Sequence, residues 1–172
     1  MSTRSPMSFQ RIAYEVREVC NGVELAAIEA AVARTGLGAD ATAIDIGTGN
    51  ATVAIRLAQR FGLTVAAVEL DPVMAELARS RIEAAGAGDR VSLTVARAAE
   101  MLARTEPVDL IVALGTTDVS GEGRPTPEAG FLAVRRSLKP GGWLVWGDVV
   151  WLAEPPAPLR QITEATNLYT DD

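Results

Sequence analysis

The sequence predicts an α/β fold, a mainly parallel sheet with helices on both faces. Three observations predict it. Residues 41–71 read ATAIDIGTGNATVAIRLAQRFGLTVAAVELD: an apolar run to Ile46, a loop with Gly47 and Gly49, a helical stripe through Ala51, Ala54, Ile55, Ala58 and Phe61, then a second apolar run at 65–68. That is strand, turn, helix, strand, the unit of a parallel sheet. Further strand-like and helix-like stretches alternate to residue 150. Finally, Glu69 lies 22 residues beyond Gly47, close to the spacing of about 20 at which an acid after a glycine turn meets a ribose diol.

The chain has 172 residues, enough for one domain with a single core. Hydrophobic residues make up 48% and charged ones 22%, an ordinary globular mixture that can bury such a core. No apolar run approaches the roughly 18 residues needed to span a bilayer, and MSTRSPMSF lacks the apolar stretch of a signal peptide. No membrane association is therefore expected. One cysteine, Cys20, forms no internal disulfide and fits a reducing compartment, so a cytoplasmic location is expected. A net charge of −6 argues against nucleic acid as a partner, because a phosphate-backbone binder needs a basic face. Histidine is absent, which removes the commonest general base and metal ligand. No metal is assigned, and proton transfer falls to Asp, Glu, Tyr, Lys or water.

In chain order, residues 1–8 are polar and expected to fray. Residues 9–20 read as a short helix with Ile12, Ala13 and Val16 on one side. Asn21 with Glu24 resembles a capping box for a second helix carrying Leu25, Ile28 and Val32. After Glu69, Asp71 caps a helix begun by Pro72, with Met74, Leu77, Ala78 and Ile82 as its buried stripe. Val91, Leu93 and Val95 alternate as a third strand, a short helix follows at 99–104, and 108–115 is a fourth strand running into a loop. Thr126-Pro127-Glu128 starts a helix with Phe131, Val134 and Leu138 on its apolar side. Lys139-Pro140-Gly141-Gly142 reads as a turn and 143–150 as a fifth strand. Trp143, Trp146 and Trp151 fall in or beside that strand, and Trp151 is a candidate wall for a substrate pocket. Residues 153–158 are Pro-rich, and 159–168 have the pattern of a last short helix.

AIDIGTGNA resembles the glycine motif of class I S-adenosylmethionine-dependent methyltransferases, an acid, one residue, then Gly-x-Gly-x-Gly. Asp45, Gly47 and Gly49 match it, and Ala51 stands at the third glycine. KPGG also resembles the helix-to-strand turn of that family. The resemblance implies a three-layer Rossmann-like sandwich with strand order 3-2-1-4-5. It divides the chain into an N-terminal helical segment at 1–36 that forms a lid in many members, a cofactor-binding domain at 37–154, and a tail at 155–172. The family sheet has seven strands, and the last two have no counterpart here.

The implied function is methyl transfer from S-adenosylmethionine to a small-molecule acceptor, with S-adenosylhomocysteine as product. Cofactor-binding candidates are Asp45, Gly47, Thr48, Gly49, Glu69, Leu70, Arg97, Ala98, Ala113 and Leu114. Gly47 and Gly49 let backbone approach the methionine part, Asp45 holds its ammonium, and Glu69 accepts from both ribose hydroxyls. Leu70 and Ala98 flank adenine. The family's acid at the end of the third strand is Arg97 here, which leaves the Ala98 N–H as the contact to the ring. ALGTTD resembles the loop of small-molecule members, with Asp118 at a position where many have His. Asp118, Asp148 and Tyr14 are the candidates for binding or deprotonating the acceptor. The fifth strand lacks its family neighbours, so its open edge predicts a homodimer.

Two other readings compete. A cofactor-binding module without catalysis, acting as a regulator or subunit, is favoured by Arg97 and the missing strands. A nicotinamide-dependent reductase is disfavoured by Thr52, where a dinucleotide fingerprint has its third glycine, and by Asp45.

Overall fold

The computed structural model describes residues 9–116, 119, 127–147, 153–154, 156–159 and 161, with the side chains of residues 9, 10 and 127 outside that description. Its elements are α1 (Phe9–Glu15), α2 (Leu25–Ala33), β1 (Thr42–Ile46), α3 (Thr52–Phe61), β2 (Thr64–Glu69), α4 (Pro72–Ala84), β3 (Val91–Val95), α5 (Ala98–Arg104), β4 (Val108–Leu114), α6 (Pro127–Arg136) and β5 (Leu138–Gly147). The sheet has the order β3-β2-β1-β4-β5, and every pairing between neighbours is parallel. Strand number, order and three-layer arrangement match the sequence expectation.

The layers follow from the period of two along each strand. Ala43, Val65, Ala67, Leu110 and Val112 point to one face, where they meet Leu25, Ile28 and Val32 of α2, the apolar stripe of α3, and Ala78 and Ile82 of α4. Ile44, Ile46, Val68, Ile111 and Ala113 point to the other, against Ala98 and Leu102 of α5 and Val134 of α6. Strands covered on both sides are mostly apolar, which is why β1 and β4 read as apolar runs broken only by Asp45 and by Thr42 and Asp109 at their N-terminal ends. Each fully buried Ile or Leu contributes roughly 1.5–3 kcal/mol relative to exposure.

Local signals set several ends. Asp71 accepts from the Val73 N–H at 2.8 Å ahead of α4, with Pro72 first in the helix, as expected. Gly62 closes α3 at φ +73°, a left-handed conformation that suits glycine. Across the two helices, Glu29 of α2 takes Arg56 of α3 at 2.7 Å and also Arg60.

Four expectations are corrected. The first helix stops at Glu15, not at residue 20, because side chains from the domain take over the carbonyls that continued helix would use (below). The Asn21–Glu24 capping box does not form: Asn21 Oδ1 accepts from the Val23 N–H at 2.8 Å in a tight turn, and α2 starts only at Leu25, with Glu24 preceding it. Residues 139–142 are not a separate turn before the strand. β5 begins at Leu138, opposite Val108, and its register jumps to Trp143 opposite Leu110, so the KPGG residues bulge outward. Leu138 thus leaves the α6 stripe, whose fully buried member is Val134, while Phe131 lies tilted against Trp146 with ring centroids 5.1 Å apart. The bulge has an anchor. Lys139 Nζ donates to Asp109 Oδ2 at 2.8 Å, and the same oxygen accepts from the Thr42 N–H and hydroxyl. The N-terminal ends of β1, β4 and β5 are tied there. The expected fifth-strand end at 148–150, Trp151, and most of the expected last helix lie outside the described residues.

Candidate functional site

A cleft of about 320 Å³ opens at the C-terminal ends of the strands, where open α/β sheets bind ligands. Gly47, Val68, Glu69, Leu70, Ala96, Arg97, Ala98, Gly115 and Thr116 line it. The wall is built by three consecutive strand-to-helix turns and the loop after β4.

The turn between β1 and α3 is tightly constrained. Gly47, Gly49 and Ala51 all have positive φ, at +66°, +57° and +60°, and Ala51 is the one non-glycine residue among the described residues that does. Left-handed backbone costs a non-glycine residue about 1–2 kcal/mol, and the small methyl at Ala51 is fully buried. A Cβ at Gly47 would sit 2.5 Å from Thr116 Oγ1, which itself donates to the Ile46 carbonyl at 2.9 Å. A Cβ at Gly49 would sit 2.8 Å from Cys20 Sγ. Both glycines therefore make room for other parts of the protein, and Gly47 also borders the cleft. The turn's amides point inward. Thr48 N–H donates to the Val68 carbonyl, Gly49 N–H to Glu69 Oε2, Asn50 N–H to Cys20 Sγ and Ala51 N–H to the Thr48 carbonyl. The turn offers a ligand shape rather than a row of donors.

Glu69 ends β2 and stands partly exposed in the cleft. Its Oε2 accepts from Gly49 N–H at 2.8 Å and its Oε1 from Asp71 N–H at 2.9 Å. Each carboxylate oxygen has two acceptor sites. One per oxygen is used, leaving one on each for a pair of hydroxyls. The two free acceptor sites fit a ribose diol.

Asp45 is at the end of β1 but is only 3% exposed. Its Oδ2 accepts from the Thr48 hydroxyl at 2.6 Å. Burial pushes its carboxyl up to about 7; the Thr48 and Ala54 bonds oppose that shift, and the negative charge of Glu69 adds to it. α3 has no side-chain cap from Ala51. Asn50 Oδ1, accepting from the Thr52 N–H at 3.2 Å, supplies an acceptor for its first turn instead.

Beyond Glu69, the cleft is walled by Leu70, 59% exposed, and by Ala96, Arg97 and Ala98. Of the sequence candidates, Gly47, Glu69, Leu70, Arg97 and Ala98 line the cleft. Thr48 and Gly49 lie buried in its turn, and Asp45 lies buried beneath it. Ala113 is buried in β4, and Leu114 borders Gly147 on the adjoining strand. Tyr14 is outside the cleft lining; its backbone carbonyl bonds Asn50 and Arg81. Asp118 and Asp148 lie outside the described residues. Sequence reasoning missed Thr116, Cys20, Asn50 and Arg81. Their contacts span 29 to 70 residues of sequence, and no local pattern announces them.

A family model described as a methyltransferase domain matches residues 43–142. The chain belongs to that methyltransferase domain family. No curated protein matches the chain in sequence. Among solved structures, a SAM-dependent methyltransferase from Thiobacillus denitrificans, crystallised with S-adenosyl-L-homocysteine, is 23% identical with a TM-score of 0.72, covering 92% of this chain and 60% of its own. A SAM-dependent methyltransferase from Geobacter sulfurreducens, also with S-adenosyl-L-homocysteine, is 20% identical at 0.72, covering 89% and 59%. A Haemonchus contortus phosphoethanolamine N-methyltransferase 2 is 21% identical at 0.77, covering 95% and 38%. The chain therefore has the Rossmann-like methyltransferase fold and spans about 60% of the length of the first two structures. Among the described residues, no helix is long and apolar enough to cross a membrane.

Proposed function

We propose that this chain binds S-adenosylmethionine in the cleft and transfers its methyl group to a small-molecule acceptor, releasing S-adenosylhomocysteine. The observation that carries this reading is Glu69, fixed in the cleft by two backbone donors with one acceptor site per oxygen to spare. Two structures of the same fold hold the product nucleoside.

When bound, S-adenosylmethionine supplies an electrophilic methyl on a sulfonium. The chain's own residues bind and align. Glu69 accepts the two ribose hydroxyls, Leu70 and Ala98 flank the base, and the Ala98 N–H and Arg97 face its edge. The turn at Gly47, Thr48 and Gly49, with Ala113 and Leu114 beyond it, shapes the space for the amino-acid tail. Asp45 acts on that tail through Thr48, because its own carboxylate is buried. Alignment of an in-line displacement supplies much of such a rate enhancement. Tyr14, Asp118 and Asp148 are the candidates for holding the acceptor or taking its proton.

We assign residues 37–154 to the cofactor domain, 1–36 to a helical segment and 155–172 to a tail, in a cytoplasmic protein. We also propose a homodimer through β5. Among the described residues that strand pairs only with β4, and Trp143 beside its edge is 48% exposed. Sedimentation giving a monomer at high concentration would overturn the dimer.

Calorimetry with S-adenosylhomocysteine tests the cofactor assignment. Two hydrogen bonds to a carboxylate are worth about 100-fold in affinity or more, so Glu69→Ala is expected to abolish measurable binding. Equal binding by Glu69→Ala and the parent chain overturns it.

A further inference from the structure

The strand-to-helix turn that borders the cleft is held from behind by a segment that does not line the cleft, residues 14–20. Asn50, 2% exposed, sits between the positive-φ residues Gly49 and Ala51. Its Nδ2 reaches the carbonyls of Tyr14 at 3.4 Å, Arg17 at 3.0 Å and Glu18 at 3.3 Å. Its Oδ1 accepts from the Thr52 N–H at 3.2 Å, and its own N–H meets Cys20 Sγ at 3.3 Å. Arg81 of α4 works beside it. Nη1 donates to Thr52 Oγ1 at 2.9 Å, and Nη2 to the carbonyls of Tyr14, Glu15 and Arg17 at 3.4, 2.9 and 3.2 Å. These carbonyls are at and just past the C-terminal end of α1, where a helix leaves its acceptors without internal partners and favours a cation.

The segment's apolar anchorage is at its far end, where Val19 packs against the core. Ile12 is 52% and Val16 86% exposed. From Tyr14 to Glu18 it is tied to the domain by the carbonyl hydrogen bonds above, contacts that can open locally without global unfolding. The turn is in the opposite condition: its left-handed Ala51 is unfavourable unless the surroundings fix it, and Asn50 is fixed on both sides.

We propose that Asn50 and Arg81 are positioning residues that clamp residues 14–20 against the turn and so preorganise the cleft, coupling closure of that segment to cofactor binding. This rests on the cofactor reading above. The coupling is reciprocal: whatever the closed segment adds to ligand affinity, the ligand adds to closure of the segment.

The test uses Asn50→Asp and Arg81→Gln in the full chain, with S-adenosylhomocysteine as probe. Asp at position 50 keeps the acceptor for the Thr52 N–H and replaces the donor facing three carbonyls by a second acceptor, so it separates the clamp from the helix cap. Hydrogen exchange over residues 12–20 is expected to slow when the probe binds the parent chain. In both variants the same amides are expected to exchange about tenfold faster, and the dissociation constant to rise by about tenfold. A merely structural role lowers the melting temperature and leaves the dissociation constant of the folded protein unchanged. Parental affinity in folded Asn50→Asp, or exchange over residues 12–20 indifferent to the bound probe, overturns the clamp and leaves the cofactor reading standing. Absence of binding by the parent chain overturns the cofactor reading itself.

Discussion

The backbone N–H of Gly49 donates to Glu69 Oε2 at 2.8 Å, joining the turn after β1 to the end of β2. Glu69 is thereby both part of the fold and the proposed ribose acceptor. Glu69→Gln is expected to separate the two roles. The amide oxygen replaces one acceptor, and its NH2 meets a backbone donor. Stability is expected to fall by about 1–3 kcal/mol, measured by urea unfolding, with S-adenosylhomocysteine affinity reduced at least tenfold at a temperature where the variant remains folded.

Gly49→Ala places a methyl 2.8 Å from Cys20 Sγ at φ +57°. The left-handed conformation and the overlap together are expected to cost about 2–4 kcal/mol. Pairing it with Cys20→Ala removes the sulfur but not the Cys20 Cβ, 3.0 Å away. The double variant is therefore expected to recover part of the loss, a coupling that a double-mutant cycle measures. Strict additivity would show that Cys20 does not fill that space.

Ala51→Val puts a β-branched side chain into left-handed backbone at a site with no exposure. An expected loss of about 3 kcal/mol or more in urea unfolding follows. A loss under about 1 kcal/mol would mean the turn relaxes easily.

Two aspartates set opposite pH slopes. Asp45 titrates near 7 in the folded chain, against about 3.9 unfolded. The folded state holds the proton more tightly, so this group makes stability fall as pH rises from about 4 to 7. Asp45→Asn is expected to flatten unfolding free energy over that window. Asp109 is held down to about 2, first by its hydrogen bond with Lys139. Its contribution is present above about 4 and lost as pH falls through 2. Because Lys139 is 45% exposed, Lys139→Met is expected to cost no more than about 1 kcal/mol at neutral pH.

The sequence by itself determined the five strands, the helices between them and the acid after the second strand. Strands buried on both faces must be mostly apolar, and Asp71-Pro72 punctuates the chain through local chemistry. Gly47 and Glu69 were legible from the glycine turn and the spacing of the acid after it, and Leu70, Arg97 and Ala98 from the family resemblance; all five line the cleft. Tertiary structure alone decided what the glycines make room for, Thr116 and Cys20, and that Asp45 turns inward to Thr48. It also decided where α1 stops, since Asn50 and Arg81 compete for its last carbonyls, and how KPGG bulges around the Lys139–Asp109 contact. Those outcomes depend on pairs far apart in sequence meeting at hydrogen-bond distance. Periodicity and propensity describe a residue's own neighbourhood and carry no term for such partners.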